Sequence, residues 1–393
     1  MKINYLFLGL ATLGLLFASC QADDTADINI TNNNGGGDTP NPEMSTSIGG
    51  TLTADLTLEG NTTYTLVSAL LVPDGFTLTM NPGTVVRAAT GSDVYIAIQQ
   101  GGTLMAEGTS SNPVVLTSNQ NTPVAGDWGG LIVLGRAPVN SAANGGTSTS
   151  EIGQLPYGGS MAADNSGIIS YVRVEYSGGA ASASSENNGF SFYGVGSGTR
   201  IDHVQAFEGA DDGLEFFGGT VNASFISSVG SQDDSVDWTE GFTGTLTDVY
   251  IEHGVTHDKG IEADGFNPDF GNNGGFLSNV TITRLSIIGR GTTASGSDNE
   301  AIRLRVGTRA KMNNVFIQGF DEGYDLDDAE TGNGVTMGLT SVDTITFDVV
   351  TRRLKNDTGA AFTDTDFFSN INEDSTVTTG TDYATWSQGW TRN

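Results

Sequence analysis

The sequence predicts an all-β solenoid, a parallel β-helix with short caps at its N- and C-terminal ends. Three observations predict it. The first is a repeat of short segments: Asn188-Gly189-Phe190-Ser191-Phe192, Asp212-Gly213-Leu214-Glu215-Phe216, Asp234-Ser235-Val236-Asp237-Trp238, Lys259-Gly260-Ile261-Glu262-Ala263, Glu300-Ala301-Ile302-Arg303-Leu304 and Glu322-Gly323-Tyr324-Asp325-Leu326. Their fourth positions, 191, 215, 237, 262, 303 and 325, are separated by 24, 22, 25, 41 and 22 residues. A period in the low twenties is that of one solenoid coil, and the long step marks a coil carrying insertions. The second is alternation of apolar and polar residues within each segment, the period of a strand with one buried face. The third is glycine, 55 residues without a collagen-like period, placed at polar corners such as Gly209-Ala210-Asp211-Asp212-Gly213.

Taken in order, the chain opens with a targeting segment, residues 1–19. Lys2 supplies a positive start, and the apolar run Tyr5 to Phe17 is too short to span a bilayer. Phe17-Ala18-Ser19-Cys20 follows, and Cys20 is the single cysteine of the chain. This pattern resembles a bacterial lipobox, which implies cleavage before Cys20, lipidation of its thiol and a membrane anchor there. Gln21-Ala22-Asp23-Asp24 resembles the surface-export signal of Bacteroidetes lipoproteins and implies the outer membrane, facing outwards. Residues 20–47, rich in Asn, Gly, Asp and Thr, cannot bury a core and are expected to be a flexible tether.

Residues 48–393 are expected to form one β-helix domain, because a solenoid grows by adding coils rather than domains. Short strands separated by turns run from Gly50 to Leu134, with turns at Pro73-Asp74-Gly75 and Pro82-Gly83. Trp128 is expected in core or end-cap packing. A long polar excursion spans 136–168. The acidic repeat occupies 186–328, with a second strand upstream of most segments: Val172–Tyr176, Val204–Phe207, Phe225–Val229, Val249–Glu252, Val280–Thr283 and Val315–Gln318. Two further loops, 267–275 and 291–299, account for the 41-residue step, and Phe266 and Phe270 are candidates there for stacking on a sugar. Thr344 to Arg353 is a further strand, and the C-terminal cap is placed at about 355–393.

Stacking places equivalent side chains in columns about 4.8 Å apart. One column therefore runs through Glu215, Asp237, Glu262, Arg303 and Asp325, and Asp211/Asp212 lie under Asp233/Asp234 and those under Asp258. Two full charges at this spacing repel by about 1 kcal/mol in water and several-fold more near a protein surface. Arg303 is expected to relieve Glu262 and Asp325. For Asp211, Asp212, Asp233, Asp234, Asp258, Glu215, Asp237 and Glu262 the expectation is bound calcium, since carboxylates and corner carbonyls are its ligands, or else solvated acidic corners.

Charge excludes some functions. Sixteen basic against 46 acidic residues give a net charge of −30, so nucleic acid and bare anionic membrane are poor partners. A lyase reading assigns Lys259, beside Asp258, Glu262 and Asp264, as base, with Arg303 and Arg305 one coil on. A carboxylate-pair hydrolase or a site built on His253 and His257 has less in its favour. The dispersed acids, the loops and the lack of a compact catalytic cluster favour a non-enzymatic binding protein.

Several stretches also carry a family resemblance. Val72-Pro73-Asp74-Gly75-Phe76-Thr77-Leu78-Thr79-Met80-Asn81-Pro82-Gly83-Thr84-Val85-Val86, Gly102-Thr103-Leu104-Met105-Ala106-Glu107-Gly108-Thr109, Asn112-Pro113-Val114-Val115-Leu116-Thr117-Ser118, Gly126-Asp127-Trp128-Gly129-Gly130, Tyr157-Gly158-Gly159 and Trp386-Ser387-Gln388-Gly389-Trp390 are similar to a large family of Bacteroidetes secreted and surface lipoproteins. The resemblance covers nearly all of residues 50–390. It implies a right-handed parallel β-helix, no assigned activity, and an accessory role beside an outer-membrane TonB-dependent receptor, with a glycan or other nutrient as ligand.

Overall fold

The computed structural model describes residues 46–182, 185–293, 299–373 and 379–393. The leader, Cys20 and the tether up to residue 45 lie outside the described residues, whereas Thr46 and Ser47, expected in the tether, begin the first strand, Thr46–Thr51, and pair with Tyr64 and Thr65. Twenty-two strands form one continuous sheet wound into a solenoid, and a separate two-stranded hairpin (Ser148–Thr149 with Pro156–Tyr157) sits in the 136–168 excursion. Every pairing between coils is parallel, as in Leu214–Phe217 on Val236–Thr239 and Val236–Thr239 on Ile261–Asp264. The fold is thus the right-handed parallel β-helix that the repeat predicts.

Each full coil has three faces. The first two are joined by one residue rather than a loop. Tyr171, His203, Phe225, Asp248, Arg284, Asn314 and Thr344 occupy equivalent positions, all with φ between +52° and +62°. None is glycine, so each coil bears the steric cost of a left-handed L-residue. Stacking offsets part of it: the His203 ring lies 4.1 Å from Tyr171 and 4.3 Å from Phe225, nearly parallel to both. Phe225 is the bend within the strand Ala223–Val229, and one pairing differs from expectation. Val280–Thr283 pairs with Leu246 and Thr247 on the first face, and the partner of Val249–Glu252 on the second face is Leu285–Ile288.

Alternation sets the interior. Phe192, Phe216, Trp238 and Ala263 point inwards one above another, and with Ile96, Val133 and Leu304 they belong to one apolar core that runs the length of the solenoid. Trp128 is fully buried in it and donates its indole N–H to the Glu175 carbonyl at 2.8 Å. The 41-residue step is one coil with two excursions, since Glu262 still pairs directly with Arg303. The strand expected at 344–353 is longer, Ser341–Asp357, and bends at Thr344.

The C-terminal segment divides in two. Phe367 and Phe368 pack on Tyr324, with ring centroids 5.1 and 5.5 Å away, and close the last coil. Residues 379–393 do not cover the end. They run back along the outside of the second face, from Val315, whose carbonyl accepts from Thr379 at 2.7 Å, to Glu175, which pairs with Arg392 at 3.0 Å.

Candidate functional site

The third face carries the acidic repeat. Its register aligns two outward columns three residues apart. One runs Ser191, Glu215, Asp237, Glu262, Arg303, Asp325 and Lys355. The other, on the corner leading into the same strands, runs Asn188, Asp212, Asp234, Lys259, Glu300, Glu322 and Arg352. A third line, Asn187, Asp211, Asp233 and Asp258, lies beside the second at the same register.

All eight carboxylates assigned from sequence to a metal come together on three successive coils. Asp211/Asp212/Asp233, Asp212/Glu215/Asp237, Asp233/Asp234/Asp258 and Asp234/Asp237/Glu262 each offer oxygens within 4.8 Å of one another. The groups share members, so they form one ribbon. Glycine holds its corner tight: a Cβ on Gly213 would lie 2.5 Å from the Ser235 carbonyl and 2.4 Å from Ser228 Oγ. Asp212 Oδ1 accepts from the Asp234 amide at 2.9 Å, and Asp234 Oδ1 from the Lys259 amide at 2.7 Å. Glu215 accepts from Asn188 Nδ2 at 2.7 Å. Asp237 Oδ1 is buried without a hydrogen-bond partner among the described residues.

Burial is the main cause of the shifted protonation here, and mutual repulsion adds to it. Burial, then the Glu186 and Asp233 charges, push Asp211 up to about 8. Asp212, Glu215, Asp234 and Asp237 are held well above the usual carboxylate range, first by burial and then by their carboxylate neighbours, with Lys259 opposing the rise at Asp234. Asp233 is raised by burial and by Asp258.

The upper part of the same columns is built differently. Glu300, Glu322 and Asp325 also converge, but cations are supplied. Lys355 Nζ lies 2.8 Å from Asp325, 3.4 Å from Glu322 and 3.9 Å from Glu300, and Arg352 pairs with Glu322 at 3.0 Å. Arg303 stands in the column between Glu262 and Asp325 as expected, but its guanidinium binds Asp327 at 2.7 Å. Glu262 pairs directly with Arg305 and with Lys259 at 3.5 Å, and Asp325 with Lys355, while the Glu262 charge also acts on Arg303. Lys355 and Arg305 as counter-ions, and Glu300 and Glu322 as members of the acidic columns, are not among the residues expected from the sequence. The latter two begin their segments at the position of Asp212 and Asp234, so the signal was present in the repeat.

Lys259 occupies a corner rung where the coils below carry aspartate. Its ammonium lies 2.7 Å from Asp258 Oδ2. Burial alone would lower its pKa, but Asp234, Asp258 and Glu262 outweigh that and hold it above the ordinary lysine value. Buried, ion-paired and held protonated, Lys259 serves as a counter-ion to these carboxylates. His253 and His257 stack on each other with ring centroids 4.3 Å apart, and burial followed by His257 lowers His253 to about 3.

The excursion 136–168 and the loop 267–275 flank the ribbon and are tied together. Asn140 Nδ2 donates to the Gly265 and Phe276 carbonyls at 2.8 and 2.7 Å, and Asn273 Nδ2 to the Ser141 carbonyl at 2.9 Å. Ile152, Tyr157 and Val139 pack on an outward apolar patch made by Tyr95, Ile132, Tyr193 and Phe217. Glu240 latches this arch, accepting from Tyr157 Oη at 2.8 and 2.9 Å. Beyond Asn187 the ribbon adjoins a cleft of about 360 Å³ lined by Asp93, Tyr95, Glu151 and Ser182. Phe270, on the second loop, is exposed, and Phe266 is half-buried.

Residues 50–391 match the family model described as a pectate-lyase-like beta helix domain. The chain belongs to the pectate-lyase-like beta helix family. No curated protein and no solved structure matches it. Membership of this beta helix family agrees with the solenoid and is compatible with glycan-related work on its outer faces. Among the described residues no helix is long and apolar enough to cross a membrane.

Proposed function

We propose that this protein is a non-enzymatic, calcium-dependent binding protein for glycans, anchored through Cys20 to the outer membrane of a Bacteroidetes cell and facing outwards. The observation that carries the calcium reading is internal to the molecule. In one set of columns, Glu300, Glu322 and Asp325 receive Lys355 and Arg352 as built-in counter-ions. On the three coils directly below, eight carboxylates share Lys259 and Arg305. External cations complete that balance. Calcium accepts about six to eight oxygens at flexible geometry, whereas a sheet wall supplies ligands from one side. The open side is available to hydroxyl or carboxylate oxygens of a sugar, and a bound cation offsets the repulsion that a protein of charge −30 exerts on acidic glycans.

The anchor, the surface location and an accessory role beside a TonB-dependent receptor rest on the lipobox-like Ala18-Ser19-Cys20 and the acidic residues after it. The second reading is a calcium-dependent polysaccharide lyase, favoured by the family description alone. Lys259 and Arg303 are committed to ion pairs, so such an enzyme needs a different base. The deciding experiment is calorimetric titration of the metal-free protein with calcium, followed by glycan binding with calcium and with chelator. Absence of calcium binding at millimolar concentration refutes the reading. Release of ultraviolet-absorbing unsaturated uronate from any polymer tested moves it to the lyase.

A further inference from the structure

A solenoid coil ordinarily touches only the coils before and after it. Its stability is then a sum of nearest-neighbour terms, and parts of it open separately. Residues 379–393 break that rule. Thr379 and Gly380 hold the Asn314–Gln318 coil through the Val315 carbonyl and Asn314 Oδ1, at 2.7 and 3.0 Å. Thr381 reaches Ser286 through its amide at 3.0 Å and Asp248 through its hydroxyl at 2.9 Å. Tyr383 stacks on Tyr250 with ring centroids 3.7 Å apart and planes 3° from parallel. Trp386 meets Phe225 edge-on at 5.7 Å. Trp390, fully buried, meets both Tyr171 and His203 at 5.7 Å, and its carbonyl accepts from Arg173 at 2.6 Å. The amide and carbonyl of Arg392 make a reciprocal pair with the Gln205 side chain, at 2.7 and 2.8 Å, and its guanidinium lies 4.7 Å over the Phe207 ring and 3.0 Å from Glu175. One segment thus engages the coils of 171–176, 203–207, 225–229, 248–252, 284–288 and 314–318.

We propose that this segment is a clasp that makes these six coils, and with them the acidic ribbon on the adjoining face, open and close as one cooperative unit. The stacked rings of Tyr171, His203 and Phe225 present their edges outwards, and the clasp tryptophans fill that edge. Separating any two of the clasped coils requires either tearing the clasp or sliding it past every other rung. The ribbon strands Leu214–Phe217, Val236–Thr239 and Ile261–Asp264 belong to clasped coils without touching the clasp, so their behaviour isolates its long-range effect. The inference stands whether or not calcium binds the ribbon.

The test is hydrogen exchange measured strand by strand on the full chain in chelator, comparing the parent with Trp390→Ala. The clasp predicts that amides of the three ribbon strands lose protection together and by a common factor, on the order of a hundredfold to a few thousandfold, the effect of truncating a buried tryptophan. Arg392→Ala, a milder change at the clasp's end, is expected to give the same pattern with a smaller factor, which keeps the test valid if Trp390→Ala does not fold. Trp390→Phe, which keeps a ring at the site, should recover most of the protection. Loss confined to 379–393 and the second-face strands beneath it overturns the proposal. So does loss that differs in size from one ribbon strand to the next.

Discussion

Asp237→Asn is the sharpest probe of the ribbon, because Asp237 belongs to two of its groups and has one oxygen buried without a hydrogen-bond partner among the described residues. It sits between Glu215 below and Glu262 above, with Asp212 and Asp234 in the adjoining column. At a spacing of about 4.8 Å, each full-charge pair repels by about 3–4 kcal/mol at the effective dielectric suited to such sites. Raised pKa values already discount this, because protons neutralise part of the charge. A net relief of about 1–3 kcal/mol is therefore expected in metal-free protein at pH 8, and the asparagine, nearly the same size, leaves packing in place. With calcium present the substitution removes a ligand, so the sign reverses and the variant is less stable than the parent. The assay is thermal unfolding followed by circular dichroism in chelator and in millimolar calcium. With roughly 2 °C expected for each kcal/mol in a domain of this size, the crossing is measurable. A variant destabilised equally in both buffers refutes both the repulsion and the calcium site. A variant stabilised equally in both keeps the repulsion and removes the calcium.

Other outcomes follow from the same geometry. Asp211 holds its proton up to about 8 in the folded state against an ordinary value of 3.8, so folding takes up a proton between these limits. That contribution is complete below about pH 4 and is lost as pH rises through about 8. Metal-free protein should accordingly unfold at a lower temperature at pH 8 than at pH 5, and excess calcium should flatten the difference. Lys355→Met strips the counter-ion from Asp325, which is 1% exposed, and is expected to cost about 2–3 kcal/mol, read from the urea midpoint. Gly213→Ala forces a methyl group against the Ser235 carbonyl and Ser228 Oγ, and should cost about 1–3 kcal/mol in the same assay.

The ribbon was legible in the sequence because a parallel β-helix converts spacing into contact. Once the segments are aligned, Glu215, Asp237 and Glu262 must share a column, and Asp212 must lie under Asp234. What was not legible is conformation without a residue signature, and contact without a period. The left-handed corner is filled by Tyr171, His203, Phe225, Asp248 and Arg284, which have nothing in common but φ. Arg303 was correctly placed in its column, yet a long guanidinium reaches sideways, and Asp327 at the outward position two residues beyond Asp325 captured it. Trp386 and Trp390 marked a structured C-terminus. Nothing local tells that Trp390 belongs beside Arg173, across 217 residues of chain.

Solenoids commonly diversify by gaining or losing whole coils, since each new rung needs to fit only its two neighbours. The clasp removes that freedom here. Thr379 through Arg392 make side-specific contacts with successive coils in strict order, so inserting one coil anywhere between 171 and 318 would throw every contact on one side of the insertion out of step. Changes that keep the clasp in step are of two kinds: excursions such as 136–168, which leave the rung count unchanged, and single replacements on the rungs themselves, such as Lys259, which stands in the column where the two rungs below carry Asp212 and Asp234.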